Sequence, residues 1–170
     1  MLIDIKDVMH DKSGTGNDRV FEVHPDIDTY EFMGESYPVV GKESFELSVS
    51  SPDRNKVCFA GKSSIVLKIP CARCLEAVQE EIVFEVDKEI NLEDEADSDL
   101  HDGFSVDVDK LLYSEIFMSM PTKVLCSEEC KGLCPVCGKN LNSGNCDCDR
   151  FVPDPRMAAI SDVFQQFIKS

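Results

Sequence analysis

Eight of the nine cysteines in this 170-residue chain fall into close pairs, Cys71/Cys74, Cys126/Cys130, Cys134/Cys137 and Cys146/Cys148, with Cys58 left alone. Paired thiolates are zinc ligands by type and spacing: two pairs complete one tetrahedral site, and four pairs complete two. The CPVCG stretch from Cys134 to Gly138 has knuckle spacing, so one turn aims both sulfurs inward and frees backbone amides to bond them. Cys146 and Cys148 follow a short loop that can double the chain back, and these four residues are assigned to one site, like a miniature zinc ribbon. Cys126 and Cys130 then either join Cys71 and Cys74 in a second site, stapling the tail to the preceding strands, or remain free. Closure across roughly fifty residues is not set by sequence.

Other cysteine chemistry fits less well. Disulfides would need an oxidising compartment, and MLIDIKDVMH places acids where a secretory signal needs an apolar core, so a cytoplasmic protein with reduced cysteines is expected. A dithiol oxidoreductase is an alternative for Cys71 and Cys74, but the run before them is β-like, without the thioredoxin alternation of strands and helices. Catalytic zinc usually includes a histidine or carboxylate, and His10, His24 and His101 lie far from the cysteine tail. With no Ser/His/Asp set, Walker loop or dinucleotide fingerprint either, the chain does not read as an enzyme.

The elements that must position these sulfurs are mostly strands. Phe45, Leu47 and Val49, then Val57 and Phe59, then Ile65, Leu67 and Ile69, then Ile82, Phe84 and Val86 recur with period two, and shorter strands are predicted at Leu2 to Ile5, Arg19 to Val23 and Phe104 to Val108. Ser51, Pro52, Asp53 and again Gly61, Lys62 predict hairpin turns between them. The fold class expected is α+β, mainly antiparallel β, a curled sheet or partial barrel with two packed helices. Asp109 is the predicted cap of a helix at about 109–120, with Leu112, Ile116 and Met120 on one face and Pro121 ending it. A C-terminal helix at about 155–168 is predicted from the Asp154 cap, Pro155 at the first helical position, and the stripe Met157, Ile160, Phe164, Phe167 and Ile168. The domain expected is thus an antiparallel β unit over 1–120 with a cysteine-rich segment and helix over 121–170 packed on it. Cys58, opposite Val57 and Phe59, reads as a packed small side chain.

Charge narrows the partners. The net charge is -16, and the segment Glu76 to Glu115 alone has 15 acids against 2 bases. Such a surface repels phosphate backbones and suits a basic protein. Four thiolates around each divalent ion would add a further net -2 per site. Within the acidic segment, residues 91–102 hold six acids in twelve residues and neither apolar period, which reads as a mobile loop without the glycine turn of an EF-hand. No apolar stretch approaches the roughly 20 residues needed to cross a bilayer.

Four stretches then act together: PCARCL at Pro70 to Leu75, LCSEECKGLCPVCGKNLN at Leu125 to Asn142, the Cys146/Cys148 pair, and VPDPRMAAI at Val152 to Ile160. In combination they closely resemble the YceD family of bacterial and plastid proteins, named for accumulation of large-subunit ribosomal RNA. The resemblance covers about the last hundred residues. It implies a role in synthesis, processing or stability of that RNA, with no catalytic residues to carry over and with the cysteine motifs falling on the eight paired cysteines. Family genes commonly neighbour that of a small basic zinc-ribbon ribosomal protein, which implies a shared pathway.

The reading that follows is a noncatalytic factor in ribosome biogenesis, with one or two structural zinc ions, whose partner is a basic ribosomal protein or large-subunit rRNA precursor. Direct RNA binding is the alternative, through Arg73 and the bases Lys123, Lys131, Lys139, Arg150 and Arg156 around the metal.

Overall fold

Every odd-numbered apolar residue from Val57 to Ile69 is buried while its even neighbours are half-buried or exposed, so this stretch is one continuous strand with one inward face. In the computed structural model, which describes residues 1–9, 18–53 and 55–149, that strand is β6 (Lys56–Pro70). It corrects the expectation of a turn at Gly61 and Lys62. Gly61 takes an inward position where β5 passes closely: a Cβ there would meet the Glu46 carbonyl oxygen at 3.0 Å and the Phe45 ring at 3.1 Å. The glycine serves a close approach within the sheet rather than a reversal.

The other elements, in chain order, are β1 (Leu2–Asp4), α1 (Lys6–Met9), β2 (Arg19–Val23), β3 (Thr29–Phe32), β4 (Glu35–Lys42), β5 (Phe45–Asp53), β7 (Ala77–Asn91), β8 (His101–Asp102), β9 (Ser105–Asp107) and α2 (Val108–Ser119). All pairings are antiparallel. One edge of β6 pairs with β5 along its first part and with β4 along its second, while its other edge pairs with β7 over their whole length, from Lys56 opposite Asn91 to Pro70 opposite Ala77. β2 pairs with β5, β3 with β4, and a separate small sheet has the order β1, β9, β8. The fold is mostly antiparallel sheet with two helices and no closed barrel, since the larger sheet keeps free ends at β2 and β3.

β3 and β4 had no predicted counterpart. Their hairpin reverses through Met33 and Gly34, both at positive φ (52° and 87°), a two-residue turn usually marked by Asn-Gly, and Pro38 within β4 weakens the strand signal. The helix near 109–120 is α2, one residue earlier at each end. Its N-cap is Asp107 rather than the predicted Asp109, with the Asp107 carboxylate accepting from the Asp109 N–H at 3.2 Å. Leu111, Leu112 and Ile116 bury against the same core as Ile82, Phe84 and Val86 of β7. α2 is also tied to β3: the Tyr30 hydroxyl donates to the Tyr113 carbonyl at 3.1 Å, and the Phe32 and Phe117 rings lie 5.1 Å apart.

The acidic stretch 91–102 is more structured than expected. Glu95–Asp97 form a 3-10 turn capped by Asp94, the Asp97 carboxylate accepts from the Asn91 N–H at 3.0 Å and pairs with Lys88 at 3.8 Å, and His101–Asp102 enter β8. Cys58 is half-buried on the outer face of β6, its Sγ 3.9 Å from the Glu89 carboxylate; partial burial and that carboxylate push its thiol above the ordinary range. The predicted helix at 155–168 lies outside the described residues. No helix among the described residues is long and apolar enough to cross a membrane.

Candidate metal centres

β6 and β7 are joined by the loop 71–76, so the first cysteine pair stands at the tip of the longest hairpin among the described residues. The loop is a knuckle: the Leu75 N–H donates to the Cys71 carbonyl at 3.0 Å, and the Cys71 N–H to the Glu76 carbonyl at 2.8 Å. Residues 120–149, after α2, return to this tip. The Ala72 N–H donates to Val124, the Leu133 N–H donates to Arg73, and the Arg73 guanidinium donates to the carbonyls of Cys130 (2.8 Å) and Glu128 (3.3 Å). Gly132 permits this approach, because it sits at φ +73° and a Cβ would stand 3.0 Å from the Arg73 carbonyl oxygen. Asn140 adds a bond from its amide to the Glu76 carboxylate at 2.9 Å.

These contacts bring Cys71, Cys74, Cys126 and Cys130 together, with all four sulfurs within 4.8 Å of one another. The closest approaches cross between segments, 3.8 Å from Cys71 to Cys130 and 3.5 Å from Cys74 to Cys126. Sulfurs bound about 2.3 Å from a tetrahedral ion stand about 3.8 Å apart, whereas a disulfide needs about 2.05 Å. All nine cysteines are free thiols. Cys71, Cys74 and Cys130 are buried in a small cluster with Val78, Leu125 and Leu133, and Val78 also packs against the main core.

The second group is Cys134, Cys137, Cys146 and Cys148, again within 4.8 Å of one another. Its knuckle repeats the first: the Gly138 N–H donates to the Cys134 carbonyl at 2.8 Å, and Gly138 has φ +71° where Leu75 has +62°. The loop to Cys146 is closed by the Lys139 ammonium donating to the Asn145 carbonyl at 2.8 Å. Regular structure is sparse here, limited among the described residues to one bridge, Leu133 opposite Asn140.

Electrostatics divides each group in the same way. Burial opposes ionisation of Cys71, yet N–H donors from Arg73, Cys126 and Cys74 hold its thiol at about 6, while Cys126, facing the sulfurs of Cys130 and Cys74, is pushed up to about 12. In the second group the N–H groups of Cys137 and Val136 hold Cys134 at about 6, and the Cys137 sulfur pushes Cys148 to about 12. Amide donors thus favour a first negative charge, and crowding resists the last. A divalent cation removes that resistance, and an all-sulfur tetrahedral set suits zinc or an iron–sulfur cluster. Asn142, named in the sequence only as the last residue of LCSEECKGLCPVCGKNLN, is a further donor: its amide reaches the Cys130 Sγ at 3.2 Å and lowers that thiol. Its place in that motif was visible, but not its target.

The family described as "Large ribosomal RNA subunit accumulation protein YceD" matches residues 59–164, more than half of the chain. A curated relative, "Large ribosomal RNA subunit accumulation protein YCED homolog 1, chloroplastic" of Arabidopsis thaliana, is 30% identical over 61 residues, 36% of this chain and 19% of that protein. The match therefore spans about a fifth of that relative's length. No solved structure matches. The family match begins within β6 and takes in the hairpin tip, β7, α2 and all eight clustered cysteines, and on that span the chain belongs to the YceD family.

Proposed function

We propose that this protein is a noncatalytic factor for accumulation of large-subunit ribosomal RNA, acting by binding a basic ribosomal protein through the acidic segment Glu76 to Glu115. The family's name supports the RNA link and describes an accumulation rather than a reaction. The observation that carries the mode of action is the charge of that segment, 15 acids against 2 bases. Two structural zinc ions, one on Cys71, Cys74, Cys126 and Cys130 and one on Cys134, Cys137, Cys146 and Cys148, fix the shape of the cysteine-rich segment, which packs on the β unit of residues 1–120 in a zinc-ribbon-like manner. Zinc supplies the positive charge each sulfur set requires; the amides of Arg73, Cys137 and Asn142 orient and quiet the sulfurs. The protein works in the cytoplasm.

Direct RNA binding is the weaker reading, because Arg73 and Lys139 already donate to carbonyls of the tail itself. A dithiol oxidoreductase needs an accessible nucleophile, and Cys71 and Cys74 are buried.

Capture on the full metal-loaded chain at physiological salt tests the reading. The expected result is a basic large-subunit ribosomal protein that is lost when Glu93, Asp94, Glu95 and Asp99 are made neutral, with Asp97 kept for its pairing to Lys88. Unchanged capture by that variant overturns the role of this loop, and elemental measurement of the same preparation gives metal per chain.

A further inference from the structure

β7 pairs with β6 on one side, and among the described residues no strand pairs with its other side. Apart from those to β6, the backbone bonds of this hairpin lie at its two ends, in the tip loop 71–76 and at residues 91–94. A strand of 15 residues therefore presents a long row of alternating donors and acceptors. The other free strands of this sheet are short, five residues in β2 and four in β3. Sheets normally blunt an open edge with a proline, a bulge or brevity. β7 contains no proline or glycine, and its register with β6 runs without a shift.

Charge is the protection that remains. The exposed positions of β7 include Glu81, Glu85, Asp87 and Glu89, and on the inward-facing alternation Lys88 is the strand's one base. Glu89 is neutralised by Lys56 at 2.6 Å, and Glu81 accepts from the Ser64 hydroxyl at 2.7 Å. At the centre of the strand, Glu85 stands across from Lys62 without closing an ion pair, and Asp87 stands across from Ala60 with no ion-pair partner among the described residues. α2 packs on the inner face of β7, and among the described residues no strand covers its outer edge. A second copy of this chain would bring the same acids to the edge, so self-pairing is opposed by like charge. An oppositely charged strand is favoured twice, by main-chain bonds and by charge.

We propose that the open edge of β7 receives an extended, lysine- or arginine-rich segment of a partner protein as an added strand. Main-chain bonds to β7 supply affinity, and Glu85 and Asp87 select for basic side chains on the outer face. The inference rests on the proposed binding of a basic protein and specifies how it docks.

The test uses the full metal-loaded chain and a synthetic peptide alternating lysine and threonine, with a second peptide of equal charge N-methylated at two adjacent central residues, which blocks both of its edges. The first peptide is expected to bind, to slow hydrogen exchange at the β7 amides that point away from β6, and to weaken by about tenfold or more on N-methylation. Equal binding of both peptides overturns strand addition while leaving charge-driven binding of a basic partner intact. Absence of binding by either peptide overturns strand addition whatever the loop variant captures, and unchanged capture by that variant separately overturns the role of residues 93–99. Protection of those amides before peptide is added also overturns the proposal, by the chain's own remaining residues if independent of concentration and by a second copy if dependent on it.

Discussion

The two sulfur groups are alike in their turns and opposite in their reach. Around Cys134 the four cysteines fall within one short stretch, two are half-buried and Cys137 is exposed. Around Cys71 the cysteines come from a hairpin tip and from a segment following α2, and three of the four are buried. The first arrangement orders its own loop; the second joins that loop to the sheet. Sites that join distant segments have more of the fold resting on them, because opening them releases every contact made across the junction.

The largest expected contrast comes from removing one sulfur of each group. Cys130→Ser should cost roughly 4–5 kcal/mol, detaching the Arg73 and Leu133 contacts as well, whereas Cys137→Ser should cost roughly 1–3 kcal/mol. Denaturant unfolding measures the difference, and metal content should fall by about half in both. Equal losses of stability would mean the groups are not mechanically distinct.

Gly132 and Gly138 sharpen the comparison. Both have positive φ, but a Cβ at Gly132 meets the Arg73 carbonyl, while nothing lies within 4 Å at Gly138. Gly132→Ala should therefore cost about 2–3 kcal/mol and Gly138→Ala about 1 kcal/mol, read as a difference in melting temperature. Leu75, at the equivalent knuckle position, carries the same backbone strain, and Leu75→Gly should be neutral or stabilising by up to about 1 kcal/mol.

A third comparison concerns the amide at Cys130. Asn142→Leu should weaken metal retention by about 10-fold in the hairpin-tip group alone, measured by chelator competition. Equal release from both groups would sink that assignment.

The smallest effect belongs to the sheet, away from either group. Burial pushes the Tyr30 hydroxyl up to about 12, above its ordinary value near 10. Its neutral form is favoured by folding, so its contribution is fully present below pH 10 and is lost as pH rises toward 12. Tyr30→Phe should lose about 1 kcal/mol near neutral pH, through the bond to Tyr113, and show a shallower alkaline decline.

What the sequence disclosed followed from local rules. The period-two runs located β5, β6 and β7 because each has one face buried, and the CPVCG spacing located a knuckle. β3 and β4 escaped because their residues are mostly exposed or half-buried and their turn uses a methionine. Gly61 misled because a glycine within a strand pattern reads the same whether the chain turns or a neighbouring strand comes close. Arg73 was legible as a charge near a cysteine pair, but its two carbonyl acceptors are about 55 residues away in the chain and become neighbours only through the fold.

The placement of Cys71 and Cys74 at the tip of a hairpin of two 15-residue strands has one more consequence. During synthesis this pair leaves the ribosome well before Cys126 and Cys130, so two of the four sulfurs of this group precede the other two. A cation retained there would signal completion, since neither β6 and β7 alone nor the later segment alone could close around it.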